Sequence, residues 1–293
     1  MKKWMLTLTA LCLTLTVVGC GQKDTGTEQP PLQEVTYSNL ADEETRNQAR
    51  EIMTEAGITP EQIQVFFDHV EQFNSTVRPE ELTDGFETHG ILETKYDPWE
   101  MQEEWTTAYP DFLGYNCRIT SYGLLYNLIT VPVSGERPNE DLVFDLDSLE
   151  QDDSSFPGRV DAFGSLFAYV PTEATKDIQV HLKNLQKDWA DRGIAFADNQ
   201  KARMISVVLH TNLDGDELFI GHAGVLFPTE DGLYFLEKLS FQEPYQWVKF
   251  RNRTELSDYL MTKYDLDENQ PTAPPFILEN DQLMEGFRPR PAV

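Results

Sequence analysis

The hydropathic period of this chain changes once, near residue 200, and that change limits the folds open to it. From Ser38 to Gly193 apolar residues recur every three or four positions, the spacing that gives a helix one buried face. From Met204 to Phe250 they form short runs rich in β-branched and aromatic residues, divided by turn residues at Asp214-Gly215 and Thr229-Glu230-Asp231-Gly232. Such runs make an antiparallel sheet. Helices first and an antiparallel sheet in the C-terminal half predict an α+β fold. With 293 residues, 40% of them hydrophobic, the chain can bury a substantial core. No repeat and no linker divides residues 37–293, which are therefore read as one domain.

Individual elements follow from start and stop residues. Asp42 is placed to cap a helix that runs to Ala56 and stops at Gly57. Pro60 sits in the first turn of a second helix, whose Ile63, Phe66, Phe67, Val70 and Phe73 share one face. Asp97 to Tyr109 is expected to be a short helix with Trp99 and Trp105 as buried anchors, ended by Pro110. Cys117 lies in the first turn of a buried helix that continues through Ile119, Tyr122 and Leu125. Residues 134–158 are acidic and rich in Ser, Pro and Asp, which predicts a surface excursion with a short helix near Leu142 to Leu149. Thr172 to Gly193 is expected to be a long amphipathic helix with Ile178, Leu182, Leu185 and Trp189 inward. The expected strands are Met204–Leu209, Glu217–Phe227, Gly232–Phe241 and Tyr245–Phe250, followed by a helix over Thr254–Lys263 and a Pro-rich tail.

The first 20 residues are of another kind. Lys2-Lys3 precede an uncharged apolar run from Trp4 to Val18, too short for the ~20 residues that span a bilayer, so residues 1–19 read as a signal peptide. Val17-Val18-Gly19-Cys20 resembles a bacterial lipobox, in which cleavage exposes Cys20 for diacylation. The polar, Gly- and Pro-containing stretch after it makes residues 20–36 a flexible tether. The expected location is the outer face of the cell membrane, with a diacylglyceryl anchor on Cys20 as the membrane contact. Cleavage leaves 21 basic against 50 acidic residues, a net −29 in place of −27. Such a surface repels phosphate backbones, so nucleic acid is excluded as a partner. Three cysteines cannot build a disulfide framework, and no Cys/His spacing suggests a metal site, so neither a cofactor nor a metal is expected. Asp214-Gly215-Asp216 lacks the further ligands of a Ca²⁺ loop and reads as a turn. Cys12 leaves with the signal peptide and Cys20 becomes a thioether. Cys117 is then the one free thiol of the mature protein.

That thiol is expected at a helix N-terminus, where peptide dipoles and N–H groups favour an anion and lower a thiol pKa from about 8.5 toward neutrality. His222 lies in the strand Phe219-Ile220-Gly221-His222-Ala223-Gly224-Val225, whose small residues leave room for the imidazole and for an approaching group. Glu237 lies in the next strand. Two-residue and four-residue loops centred on Glu230-Asp231 both put His222 and Glu237 on one face of the sheet; an odd-length loop would put them on opposite faces. Cys117 as nucleophile, His222 as base and Glu237 as the group orienting the base form the candidate catalytic set. His210 is a rival base, and Gln242 and Glu243 are rivals to Glu237. His69, His89 and His181 read as surface or structural residues.

The segment Asp216 to Leu226, followed by Asp231 to Glu237, resembles the His-bearing hairpin of the NlpC/P60 cysteine peptidases and amidases of the cell wall. That resemblance implies a papain-like fold in which Cys117, His222 and Glu237 match the nucleophile, the base and the orienting residue. The family usually has Asp before its Cys and Ser-Gly after it, where this chain has Asn116 and Arg118-Ile119. Tyr37-Ser38-Asn39-Leu40, Tyr115-Asn116-Cys117-Arg118, Phe219-Ile220-Gly221-His222 and Phe241-Gln242-Glu243-Pro244-Tyr245-Gln246 also resemble an uncharacterised family of Gram-positive lipoproteins, a DUF4300-like domain of unknown function. Together with the external location, the NlpC/P60 resemblance implies hydrolysis of amide bonds in peptidoglycan peptides. The competing expectation is a non-catalytic surface lipoprotein that binds a ligand or a protein partner.

Overall fold

In a computed structural model of the chain, residues 29–132, 142–267 and 269–290 are described. The signal segment, Cys20 and the tether up to residue 28 lie outside the described residues, as do residues 133–141 of the acidic excursion. The protein is mixed α/β, with a large antiparallel sheet and, among the described residues, eight α-helices.

The sheet has nine strands. Its main path runs β11 (Gln282–Leu283), β10 (Phe276–Glu279), β6 (Arg203–Thr211), β7 (Glu217–Thr229), β8 (Gly232–Lys238), β9 (Tyr245–Phe250), β1 (Glu34–Ser38), β2 (Glu87–Gly90). The two-residue strand β4 (Val170–Pro171) adds to β7 beside this path, and β3 (Ile129–Thr130) pairs separately with β5 (Ala195–Phe196). Alternate side chains face opposite sides, so each strand feeds two cores. Met204, Val225, Phe227, Leu236 and Trp247 join the helices α1 (Glu43–Glu55), α2 (Pro60–Asn74), α3 (Pro98–Ala108), α4 (Cys117–Leu125), α5 (Val143–Gln151), α6 (Val160–Phe167) and α7 (Ile178–Asp191) in the larger core. Val207, Leu226, Phe235 and Val248 turn the other way, against Leu256, Tyr259, Leu260 and Met261 of α8 (Arg253–Tyr264).

The expected helix starts hold where a cap supplies them. Asp42 accepts from the Thr45 N–H, and Thr59 with Gln62 forms a capping box ahead of Pro60. Four expectations need correction. The tether does not extend to residue 36, because Glu34–Ser38 is a strand, paired with β2 over Glu34–Tyr37 and with β9 over Thr36–Ser38, that alternates Val35 and Tyr37 inward. The sheet is therefore not confined to the C-terminal half, and β10 lies within the tail. The helix expected from Thr172 begins at Ile178, because Val170–Pro171 pairs with β7 and the first cap is Asp177. Trp99 is 81% exposed, whereas Trp105 is buried and donates its indole N–H to the Phe112 carbonyl. Helix α6 was not expected; its Phe163, Leu166 and Phe167 line the larger core.

Candidate active site

Helix α4 starts where the chain turns sharply out of Gly114, which adopts φ +89° against the Trp105 indole. The Asn116 side chain accepts from the Ile119 N–H and caps the helix, a contact that contributes about 1 kcal/mol. Cys117 is the first helical residue, so its own N–H and that of Arg118 have no intrahelical acceptor.

The sheet has an opening for this helix end. Along one edge of β7, β4 pairs only with Glu217 and Leu218, and β8 begins its pairing at Gly224. Between them α4 reaches the bare backbone. Arg118 donates to the Ile220 carbonyl at 3.1 Å, and the Ala223 N–H is near enough to the Cys117 sulfur to favour its charged form. The Arg118 guanidinium also makes a two-pronged ion pair with the buried Asp145 of α5, at 2.9 and 2.7 Å, and Asn116 donates to the same carboxylate at 2.7 Å. Asp145 thus ties down the residues on both sides of Cys117. Removing one partner of a buried pair of this kind costs about 3–5 kcal/mol.

His222 owes its position to a bulge. Val207 pairs with His222 and Val208 with Ile220, which leaves Gly221 as the extra residue of β7. Thr229 pairs with Gly232 across a two-residue turn, so Gly224 faces Glu237 and His222 lies on the neighbouring diagonal of the same face. The His222 Nε2–H donates to Glu237 Oε2 at 2.6 Å. Tyr264, the last residue of α8, stacks on the imidazole at 4.8 Å between ring centroids. Nδ1 makes no hydrogen bond, and Cys117 lies close enough to the ring for the two groups to shift each other's ionisation. The small residues around His222 do not open a path to it, contrary to expectation. A Cβ on Gly221 would meet Leu209 at 2.4 Å, and one on Gly224 would meet Phe235 at 2.2 Å, so both positions are already filled by neighbours.

Cys117, His222 and Glu237 are 5%, 1% and 0% exposed, and burial alone would keep all three neutral. Their mutual contacts overcome it. Burial pushes the Cys117 thiol up, but His222, the Arg118 charge and the Ala223 N–H together bring it below its ordinary value. Burial pushes the His222 imidazole down, and Cys117 with Glu237 reverses that, raising it to about 9. Burial pushes Glu237 up, and His222, Lys263 and Tyr259 bring it down. In each of the three groups the neighbours favour the charged form and oppose what burial alone would give.

The three residues chosen from sequence are therefore contiguous in space. The rivals lie elsewhere. His210 uses both ring nitrogens, accepting from the Ala273 N–H at 3.0 Å and donating to Asp216 at 2.9 Å. Glu243 accepts from the Tyr96 hydroxyl. His181 is fully buried between Thr172 and Thr175, His69 stacks on Tyr115, and His89 sits in β2. Four residues around the site were not singled out beforehand: Arg118, Asp145, Tyr259 and Lys238. Lys238 is buried, its ammonium 4.1 Å from the Phe73 ring centre and donating to the carbonyls of Ser240, Phe241 and Glu243, which fixes the turn between β8 and β9. A lysine in the middle of an apolar strand end was the available signal for it. Among the described residues no group of three or more His, Cys, Asp or Glu is arranged to hold a metal ion, and no helix is long and apolar enough to cross a membrane.

No curated protein and no solved structure matches this chain. A family model does: that of DUF4300, a domain of unknown function, matches residues 36–284, a span from β1 through β11 that includes Cys117, His222, Glu237 and the helix that covers them. The chain belongs to this family of unknown function.

Proposed function

We propose that the protein is a cysteine hydrolase of papain-like type that cleaves amide bonds of cell-wall peptides from the outer face of the membrane, held there by acyl chains on Cys20. The observation that carries the reading is the apposition of the Cys117 thiol and the His222 ring, with that ring hydrogen-bonded to the Glu237 carboxylate and the thiol at the start of a helix. A nucleophile, a base and a group that orients the base are what acyl transfer to sulfur requires. The substrate class comes from the expected external location and the resemblance of the hairpin to cell-wall peptidases.

The chemistry follows from the geometry. The Cys117 thiolate attacks the amide carbon, a C–S bond forms, and the carbonyl π pair moves onto oxygen. The N–H groups at the start of α4, which have no intrahelical acceptor, are assigned as donors to that oxyanion. On collapse the C–N bond breaks, and the His222 imidazolium gives its proton to the departing amine, leaving an acyl thioester and a neutral imidazole. His222 then takes a proton from water as the water attacks the thioester. Expulsion of the thiolate releases a carboxylic acid and restores the imidazolium. Glu237 holds Nε2–H throughout, so the nitrogen that exchanges the proton is always Nδ1.

The test is to incubate purified cell wall with the wild-type protein and with Cys117→Ser, and to identify released muropeptides by mass spectrometry. Peptide fragments from the wild type and none from the variant are expected; equal release from both, or none from either, contradicts the proposal. A second reading, a non-catalytic surface lipoprotein that binds a ligand or partner, draws on the low exposure of Cys117 and His222. On that reading Cys117→Ser would leave every binding property of the protein in place.

A further inference from the structure

The catalytic scheme uses three side chains, yet the hydrogen bonding that starts at His222 does not end at Glu237. This carboxylate is fully buried, and its two oxygens have different partners. Oε2 accepts from His222, and Oε1 accepts a short hydrogen bond from the Tyr259 hydroxyl. Tyr259 belongs to α8, on the same side of the sheet, and its ring is packed against Phe250 at 5.3 Å. The side-chain amide of Gln246, whose residue pairs with Glu237 across β8 and β9, lies 3.3 Å from the same phenol oxygen. A phenol has one proton. The Gln246 atom at 3.3 Å is Oε1, and since Tyr259 gives its proton to Glu237, its oxygen is left to accept, which favours turning the Gln246 amide over so that Nε2 donates to it.

We propose that Tyr259, supported by Gln246, is a positioning residue that keeps Glu237 ionised and turned toward His222, so that the working unit is the four-membered chain Cys117, His222, Glu237, Tyr259. This rests on the cysteine-hydrolase reading of the same site. The physical reason is donor supply. An ionised carboxylate in an apolar interior needs its oxygens satisfied, and a buried charge with one side empty is either neutralised or rotated to find a partner. With His222 as its only donor, Glu237 would share the imidazole proton less asymmetrically and would hold the imidazolium less firmly. The other charged or titratable groups around Glu237 are Lys263 and Tyr264 on α8 and, farther off, Tyr96. Those that act on Cys117 besides His222 are Arg118 on α4, Lys238 on β8 and Tyr264. Of all these groups, Tyr259 is the one whose hydroxyl donates to the carboxylate. The site sits under α8, and α8 is therefore part of the catalytic apparatus and more than a cover for the second core.

The experiment is a pH titration of the Cys117 thiolate by its ultraviolet absorbance, taken as the difference from Cys117→Ser so that other thiols cancel. This readout needs no reagent to reach the buried sulfur. It is run on the wild type, Tyr259→Phe, Gln246→Leu and Glu237→Gln, with thermal melts of each. Tyr259→Phe keeps the ring and its packing and removes one hydroxyl. The expected result is a thiolate midpoint that rises by about one pH unit in Tyr259→Phe, less in Gln246→Leu and most in Glu237→Gln, from the loss of one charge-assisted hydrogen bond or of the charge itself. A wild-type midpoint below that of the unfolded chain, unmoved by Tyr259→Phe in a variant that still melts cooperatively, overturns this inference and leaves the hydrolase reading standing. A wild-type midpoint no lower than that of the unfolded chain overturns both. If Tyr259→Phe does not fold, the comparison of Gln246→Leu with the wild type decides, and no movement there overturns the inference.

Discussion

Two of the sheet's histidine–carboxylate pairs, His210 with Asp216 at the β6–β7 turn and His222 with Glu237 across β7 and β8, are built for different purposes. His210 donates Nε2–H to Asp216 and accepts at Nδ1 from the Ala273 backbone, so both nitrogens are committed to holding the β6–β7 end against the tail. His222 donates Nε2–H to Glu237 in the same way, but its Nδ1 makes no hydrogen bond and Cys117 adjoins the ring. One backbone N–H separates a structural histidine from one that can move a proton. The Gly221 bulge accounts for the difference in part, because it shifts β7 by one residue between the two pairs and lets the end of α4 reach the sheet beside His222 alone.

Exchanging the parts of the two pairs tests this contrast. The largest effect is expected on wall-peptide release: Cys117→Ser and His222→Gln should each lower the rate by about 10³-fold or more, since nucleophile and base act as a unit. His210→Gln should leave the rate near wild type while lowering the melting temperature. The same asymmetry should hold one step out, measured in the same assay. Glu237→Gln is expected to lower the rate on the order of 10²-fold, whereas Asp216→Asn should change stability and not rate. The pH–rate profile of the wild type should be bell-shaped. Its acid limb reports the Cys117 thiol below its ordinary range, and its alkaline limb falls as the His222 imidazolium loses its proton near about 9.

Smaller effects are expected from the glycines and from the second histidine cluster, and both are read by denaturant melts. Gly224→Ala should destabilise by about 1–3 kcal/mol, and more than Gly221→Ala. Its Cβ would meet the Phe235 ring and the Leu236 carbonyl, where that of Gly221 meets the end of the Leu209 side chain. Beside His210, the buried His181 ring lies 4.5 Å away between centroids. Burial holds His181 below its ordinary range, with the Thr175 carbonyl acting in the opposite direction. A folded-state value below the unfolded one means that the unfolded chain binds the proton first. Stability from this group is therefore level above the unfolded value of about 6.5 and falls as the pH drops below it, by at most about 1.4 kcal/mol per pH unit. His181→Gln should flatten that acid-side slope.

How much of this could be read beforehand depended on the range of the interaction. Local signals were enough for the cap at Asp42, for Pro60 in the first turn of α2 and that helix's buried face, and for Cys117 at the start of α4. Hairpin arithmetic was enough for the shared face of His222 and Glu237, since a two-residue turn leaves no freedom in register. The short strands β1, β2 and β10 were not legible, because four or five residues carry little periodicity and their partners lie far along the chain, β1 pairing with β9. Trp99 and Trp105 have the same composition and the same helix, and only the tertiary fold decides that one is exposed and the other buried. The site was half legible. Its three reacting groups announce themselves by type, but Arg118 finds Asp145 across an acidic stretch that reads as solvent-facing, and Tyr259 reaches Glu237 from an unrelated helix. Local pattern carries no information about such contacts.

The central claim, that Cys117 and His222 form a reactive ion pair in the folded protein, is tested most directly by alkylating the native protein with iodoacetamide across a pH series. The modified residue is identified by peptide mapping, and the same series is run in denaturant. The account predicts that native Cys117 is alkylated with a midpoint below that of the unfolded chain and that His222→Gln removes the difference. A Cys117 that reacts only after unfolding would contradict it.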